Sequence, residues 1–316
     1  MAKHDPWRII VMILALVAFI IMLGFNAVAG AGSSGGPFLQ NTGNVSAKYE
    51  TDITPSGWTF SIWGVIYTWQ TLWFVYVFSG FCRRNTDGWM YCEPAILPYG
   101  FYITWIINNI FNIIWLFLWD REYMVAGVII LALITFTNYI VLFFSYHGLN
   151  TYFAWLNKYY KVDLWLIRIL VQNGVAVYTT WTTIATLLNF AVVLTYNEGV
   201  SRETAGTVVL SILLVEVILW FVAENFFLDK YVRYTLTVYP VVIVALCGNM
   251  TKNFNAESPS RNGIFIAVLL GISCLIFAVR VLLVVWRHLK HDVHQVSDSI
   301  PMSPKEISEK KKGIFV

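Results

Sequence analysis

Eight mostly apolar stretches of roughly 20 residues alternate with short polar connections along the chain. At 1.5 Å per residue, about 20 helical residues cross the ~30 Å hydrocarbon layer of a bilayer. The predicted spans are 9–29, 57–78, 99–119, 123–144, 174–196, 205–226, 231–247 and 263–286. An amphipathic stretch at 164–171 precedes the fifth and is expected to lie in the interface. The short, turn-separated alternation of membrane-barrel strands is missing. The pattern therefore predicts an all-α, polytopic transmembrane helix bundle of about eight helices.

Composition agrees. Of 316 residues, 58% are hydrophobic and 12% charged. A soluble surface needs roughly a quarter of its residues charged, so the apolar surplus must face lipid. The net charge of +3 is dispersed among loops and argues against a nucleic-acid partner. Cys82, Cys92, Cys247 and Cys274 show no CxxC spacing, and no HExxH pattern occurs, so neither a metal nor an enzymatic nucleophile–base pair is expected. His4, His147, His288, His291 and His294 fall near helix ends or in tails.

Placing the N-terminus in the cytoplasm leaves 14 of the 21 Lys and Arg on that side and five opposite, with Arg168 and Arg280 inside spans. That is a positive-inside pattern. The sequons at Asn44 and Asn249 both fall on the other side, where glycosylation takes place. With eight spans, both termini are cytoplasmic. Cys82 and Cys92 are then expected as free thiols in a reducing compartment. Usable sequons favour the plasma membrane or an endomembrane over the mitochondrion. Lys3 and Arg8, the apolar run and Ala27-Val28-Ala29 also fit a secretory signal. Cleavage there would leave seven helices.

Three spans carry polar and aromatic residues at helical spacing. Trp63, Tyr67 and Gln70 lie along one stripe, Trp105, Asn109, Asn112 and Trp115 along a second, and Tyr178, Trp181, Ala185 and Asn189 along a third. An amide at bilayer depth costs a few kcal/mol unless hydrogen-bonded, so the stripes should turn inward. Two readings remain open: amides that stitch helices together, or the lining of a site for a flat, largely apolar ligand. Glu216 and Arg280 also lie within spans, and an ion pair between them is expected, as a register lock or as a proton- or ion-coupling device. Arg168 is expected to snorkel to the interface, and Pro240 to kink the seventh helix.

The run Thr54-Pro55-Ser56-Gly57-Trp58-Thr59-Phe60-Ser61-Ile62-Trp63-Gly64-Val65-Ile66-Tyr67, the Asn112-Ile113-Ile114-Trp115 segment with Phe117, and the Tyr178, Trp181, Ala185, Asn189 spacing resemble the signatures of the TspO/translocator-protein (tryptophan-rich sensory protein) family. The resemblance covers roughly residues 7–196 and is closest to a longer branch. Val177 departs from the usual proline, and three further helices follow. The resemblance implies a five-helix bundle at 1–196, while the apolar pattern adds three helices at 197–290 and the Ser- and Lys-rich composition of 291–316 predicts a disordered tail. The resemblance also implies a pocket for tetrapyrroles, sterols and aromatic ligands beneath the first loop, lined by Trp58, Trp63, Tyr67, Asn112, Trp115, Trp181, Ala185 and Asn189.

The function expected is binding, with transport or sensing, of a hydrophobic planar ligand such as a tetrapyrrole or sterol. The Gly- and Ser-rich loop at 30–56 would act as a lid, and a second copy of the chain is an allowed partner. A coupled secondary transporter using Glu216 and Arg280, and a seven-helix receptor formed by signal cleavage, stand as alternatives.

Overall fold

A computed structural model describes residues 4–32, 36–290 and 301–310. The first helix, α1 (Pro6–Ala31), starts at an Asp5 N-cap and places Met12, Ala15, Phe19 and Met22 against the bundle. A short helix α2 (Thr42–Lys48) lies in the first loop. A 3₁₀ turn at Gly57–Ser61 then leads into α3 (Ile62–Ser79). Next come α4 (Tyr99–Asp120) and α5 (Met124–Thr151), packed along each other, then the short α6 (Phe153–Tyr159).

Helices α7 (Lys161–Leu166) and α8 (Asn173–Tyr196) are joined by a wide π turn into one rod, Lys161–Tyr196. The stretch expected to lie in the interface is therefore part of the fifth span. Asn173 explains the junction, because its Nδ2 donates to the Arg168 carbonyl five residues back. Arg168 does not snorkel. It is buried, with its guanidinium 4.1 Å from the Tyr234 ring and 4.8 Å from that of Trp165.

Helix α9 (Arg202–Val222) also widens into a π turn, Ala223–Phe227, before the single turn α10 (Asp229–Val232). Helix α11 (Val238–Asn253) begins seven residues later than the pattern suggests. Pro240 stands in its first turn, where a missing N–H has no partner to lose, so it starts this helix rather than kinking it. The break before α11 exposes carbonyls and amides near membrane depth. Asn173 answers two of them, donating to Tyr234 O and accepting from Leu236 N. Helix α12 (Arg261–Lys290) closes the bundle.

Six of these rods are long and apolar enough to cross a membrane by length and composition. The other two, α3 and α11, have 18 and 16 residues. The aromatic and amide side chains of α3 are the ones that lower its hydropathy. Among the described residues there is no strand, only an isolated bridge between Arg84 and Trp89.

The start of α1 and the end of α12 share one end of the bundle, the inner end by the positive-inside pattern. The last three helices are tied to the first loop at the outer end, where Ser56 N donates to Gly248 O, Ser56 Oγ meets Thr251 Oγ1 and Asn253 Nδ2 donates to Thr54 O. The tail is not wholly without structure: α13 (Pro304–Lys310) is helical, and Ile307 packs against the core. The expectations for 291–300 and 311–316, with His291 and His294, and for Ser33-Ser34-Gly35 in the loop, lie outside the described residues.

Candidate functional site

The three polar stripes converge. Trp63 stacks on Tyr67 at 5.5 Å and sets its edge against Tyr178 and Trp181, each at 6.2 Å, while Trp105 meets Tyr178 at 6.2 Å. A hydrogen-bonded chain runs through the same place. Tyr67 OH donates to Asn26 Oδ1 (2.8 Å), Asn26 Nδ2 to Asn112 Oδ1 (2.8 Å), and Asn112 Nδ2 to the Tyr178 hydroxyl (3.1 Å). Asn26 was not singled out from the sequence. A lone amide near the outer end of an otherwise apolar span was the available signal. Its place in the chain makes α1 part of the site.

Other expected residues lie apart or bond within their own helix. Asn109 Nδ2 donates to Trp105 O, and Asn189 Nδ2 to Ala185 O. Trp115 stacks on Trp119 toward the outer end. Trp58 is half exposed at the rim, 3.4 Å from Thr251 Oγ1, and does not join the cluster. Gln70 acts as glue, its Nε2 donating to Gly174 O on the fifth span. A second polar set, missed from the sequence, does the same: Asn108 Nδ2 donates to Thr137 Oγ1 and Asn138 Oδ1, joining α4 to α5.

The stripes leave polar atoms over, as the gluing Asn108 does at its Oδ1. Trp105 Nε1, Asn109 Oδ1, Trp115 Nε1, Trp181 Nε1 and Asn189 Oδ1 are all buried without a hydrogen-bond partner. Each such group costs on the order of 1–3 kcal/mol, and native folds keep few of them without a reason.

The outer end is covered by the first loop. Leu39 N and Gln40 N donate to the Asp120 carboxylate, and Phe38 stacks on Phe117 at 4.9 Å. Glu122 receives Lys48, Gln40 and Tyr49 together, and these hydrogen bonds hold its carboxyl down to about 2. Asn44 is exposed on α2, but Asn249 is buried within α11, so the folded bundle has no room for a glycan on the second sequon.

The expected Glu216–Arg280 pair does not form. Arg280 instead meets Glu224, Nε to Oε2 at 3.2 Å, and both are fully buried. Depth explains the choice. Counted inward from Arg202 and Arg261, Glu216 lies roughly 21 Å down, Arg280 roughly 28 Å and Glu224 roughly 33 Å at 1.5 Å per residue. Arg280 also donates to Asn225 Oδ1 (2.8 Å) and to the carbonyls of Val232 and Arg233, and so helps satisfy the break before α11. Glu224 accepts in turn from Tyr239 OH. This is a fixed network, packed within the C-terminal helices.

The four cysteines are free, Cys82 exposed among them, and the described residues contain no group of His, Cys, Asp and Glu able to hold a metal ion. A protein-family model described as "TSPO-like protein" matches residues 12–284, reaching past the five helices that carry the motifs into the last three. No curated protein and no solved structure matches the chain.

Proposed function

The chain belongs to the TSPO-like protein family, and from that premise we propose that it is an integral membrane protein that binds a hydrophobic planar molecule of the tetrapyrrole or sterol kind, in order to move or sense it. One observation carries the reading: the indole N–H groups of Trp105 and Trp181, on two neighbouring spans, are buried with no partner within the protein inside a cluster of aromatic rings. A flat ligand with a few polar atoms sliding between those rings would bury its faces against Trp63 and Trp181 and would satisfy the leftover donors. The Phe38–Tyr49 segment covers the outer end, and ligand would enter from the bilayer side. The reading is of a binding protein rather than an enzyme. A coupled transporter built on a Glu216–Arg280 pair loses its support, since Arg280 is engaged with Glu224.

The test is equilibrium binding of protoporphyrin IX and of cholesterol to purified protein in nanodiscs. Trp181→Ala with Asn112→Ala should weaken binding of one of them by about tenfold or more, the loss of one ring face and one hydrogen bond. A double variant that is folded, by an unchanged unfolding midpoint within a few degrees, and that keeps full affinity for both would reject the site.

A further inference from the structure

A cavity of about 600 Å³ lies on the other side of α8 from the aromatic cluster and shares no residue with it. Its walls come from α5, α8, α9, α10 and α11, so it exists only because the last three helices pack against the first five. The lining is mostly apolar, with Leu142, Ile184, Leu213, Val217 and Val242 among it. Tyr139, Phe143 and Leu219 are both lining and largely exposed on the helix faces, so the cavity opens sideways toward lipid.

Its polar lining is the His147 ring, four tyrosines, four threonines, the Trp220 indole and one carboxyl, that of Glu216. Glu216 is on the wall, its Oε2 is buried without a hydrogen-bond partner, and among the described residues no Lys, Arg or His forms an ion pair with it. The hydroxyls of Thr179, Thr180 and Thr183 all donate to carbonyls one turn back, to Val175 O, Ala176 O and Thr179 O. Their protons are spent, so toward the cavity these oxygens only accept. The Tyr239 hydroxyl likewise donates its hydrogen bond to Glu224. The α8 and α9 walls thus present one carboxyl and a row of hydroxyl acceptors on an apolar body. The complement is a rigid apolar molecule that carries a positive charge and N–H donors.

We propose that this junction cavity is a second ligand site, for lipophilic amines that partition from the bilayer and seat their protonated nitrogen on Glu216. The charge balance follows directly. A carboxylate at bilayer depth costs several kcal/mol alone, and an organic cation drawn from the lipid phase neutralises it while its own body fills apolar space. Thr180 and Thr183 would accept from further N–H groups, and the side opening supplies the route in.

The experiment uses quinacrine, a fluorescent lipophilic amine, titrated into the full-length protein in phosphatidylcholine nanodiscs at neutral pH. Glu216→Gln should lower affinity by about tenfold or more, the scale of one charge-assisted contact, and Glu216→Asp should keep most of it. Ala176→Trp, which brings an indole into the cavity from the α8 wall, should abolish saturable binding, read in a variant shown to be folded by its unfolding transition. Trp181→Ala with Asn112→Ala should leave quinacrine affinity unchanged, so that failure here and failure of the tetrapyrrole or sterol reading are told apart. Equal affinity for wild type and Glu216→Gln, or binding that survives Ala176→Trp in a folded variant, overturns the proposal.

Discussion

Arg280 and Glu224, 56 positions apart, meet with Nε and Oε2 3.2 Å from each other and neither side chain exposed. Their partners make the pair a clamp. Arg280 holds the backbone where the chain breaks between α10 and α11, and Glu224 takes the Tyr239 hydroxyl at the start of α11. A buried pair is seldom a net gain over apolar residues of the same shape, but removing one partner strands the other.

Arg280→Ala should therefore destabilise the protein by about 3–5 kcal/mol, whereas Glu224→Gln, which keeps an acceptor for Tyr239, should cost less. Unfolding midpoints in detergent decide the order, and a double-mutant cycle measures the coupling. By contrast, Glu216→Gln should leave the midpoint nearly unchanged, because no protein cation depends on that carboxyl.

Close approach sets a second contrast within α5. A Cβ built on Gly148 lands on the backbone carbonyl of Ile96, which cannot rotate aside, while one built on Gly127 meets nothing within 4 Å. Gly148→Ala should cost about 3 kcal/mol or more as overpacking against backbone. Gly127→Ala should be neutral or stabilising by roughly 0.5–1 kcal/mol through helix propensity. The same midpoint measurement compares them, and similar effects at both sites would contradict the packing.

The long apolar runs made the bundle legible, because 20-residue spans admit few other structures. The stripes were legible too: spacing alone puts Trp63 with Tyr67, Trp105 with Asn112, and Tyr178 with Trp181 on one face of their respective helices, and in the fold these faces meet. Three features escaped. The true partner of Arg280 depends on how far two helices are offset along their axes, which periodicity does not encode. The late start of α11 depends on Asn173 and Arg280 reaching a break from other helices, so an apolar pattern at 231–237 was overridden by tertiary hydrogen bonds. The junction cavity is a gap between helices whose faces look ordinary one at a time.

The cover over the outer end should be insensitive to mild acid. Hydrogen bonds from Lys48, Gln40 and Tyr49 hold the folded pKa of Glu122 to about 2, below its ordinary value. A depressed carboxyl stabilises the folded arrangement fully above the ordinary carboxylate range and loses that contribution as pH falls toward the folded value. Exposed pairs of this kind are worth little singly, so the effect should be local. Hydrogen exchange of residues 39–49, corrected for intrinsic rates, should match at pH 7 and pH 5 and rise only below about pH 4. Glu122→Gln should give the faster exchange already at pH 7. Loosening of the wild type between pH 7 and pH 5 would point to a different anchor.

Orientation is the last matter the geometry makes testable, and the two sequons do it unequally. Asn44 lies exposed on α2, whereas the Asn249 side chain is buried inside α11 beside the loop that leads into α3. A glycan must stand clear of the bundle, which Asn44 on the exposed face of α2 allows and Asn249 within α11 does not. Translation into microsomes should add one glycan, removed by Asn44→Gln and untouched by Asn249→Gln, and read as a gel shift reversed by endoglycosidase. A chain that carries no glycan would place the first loop on the cytoplasmic side. Cys82, Arg83 and Arg84 would then lie outside, against the excess of basic residues on the N-terminal side of the bundle.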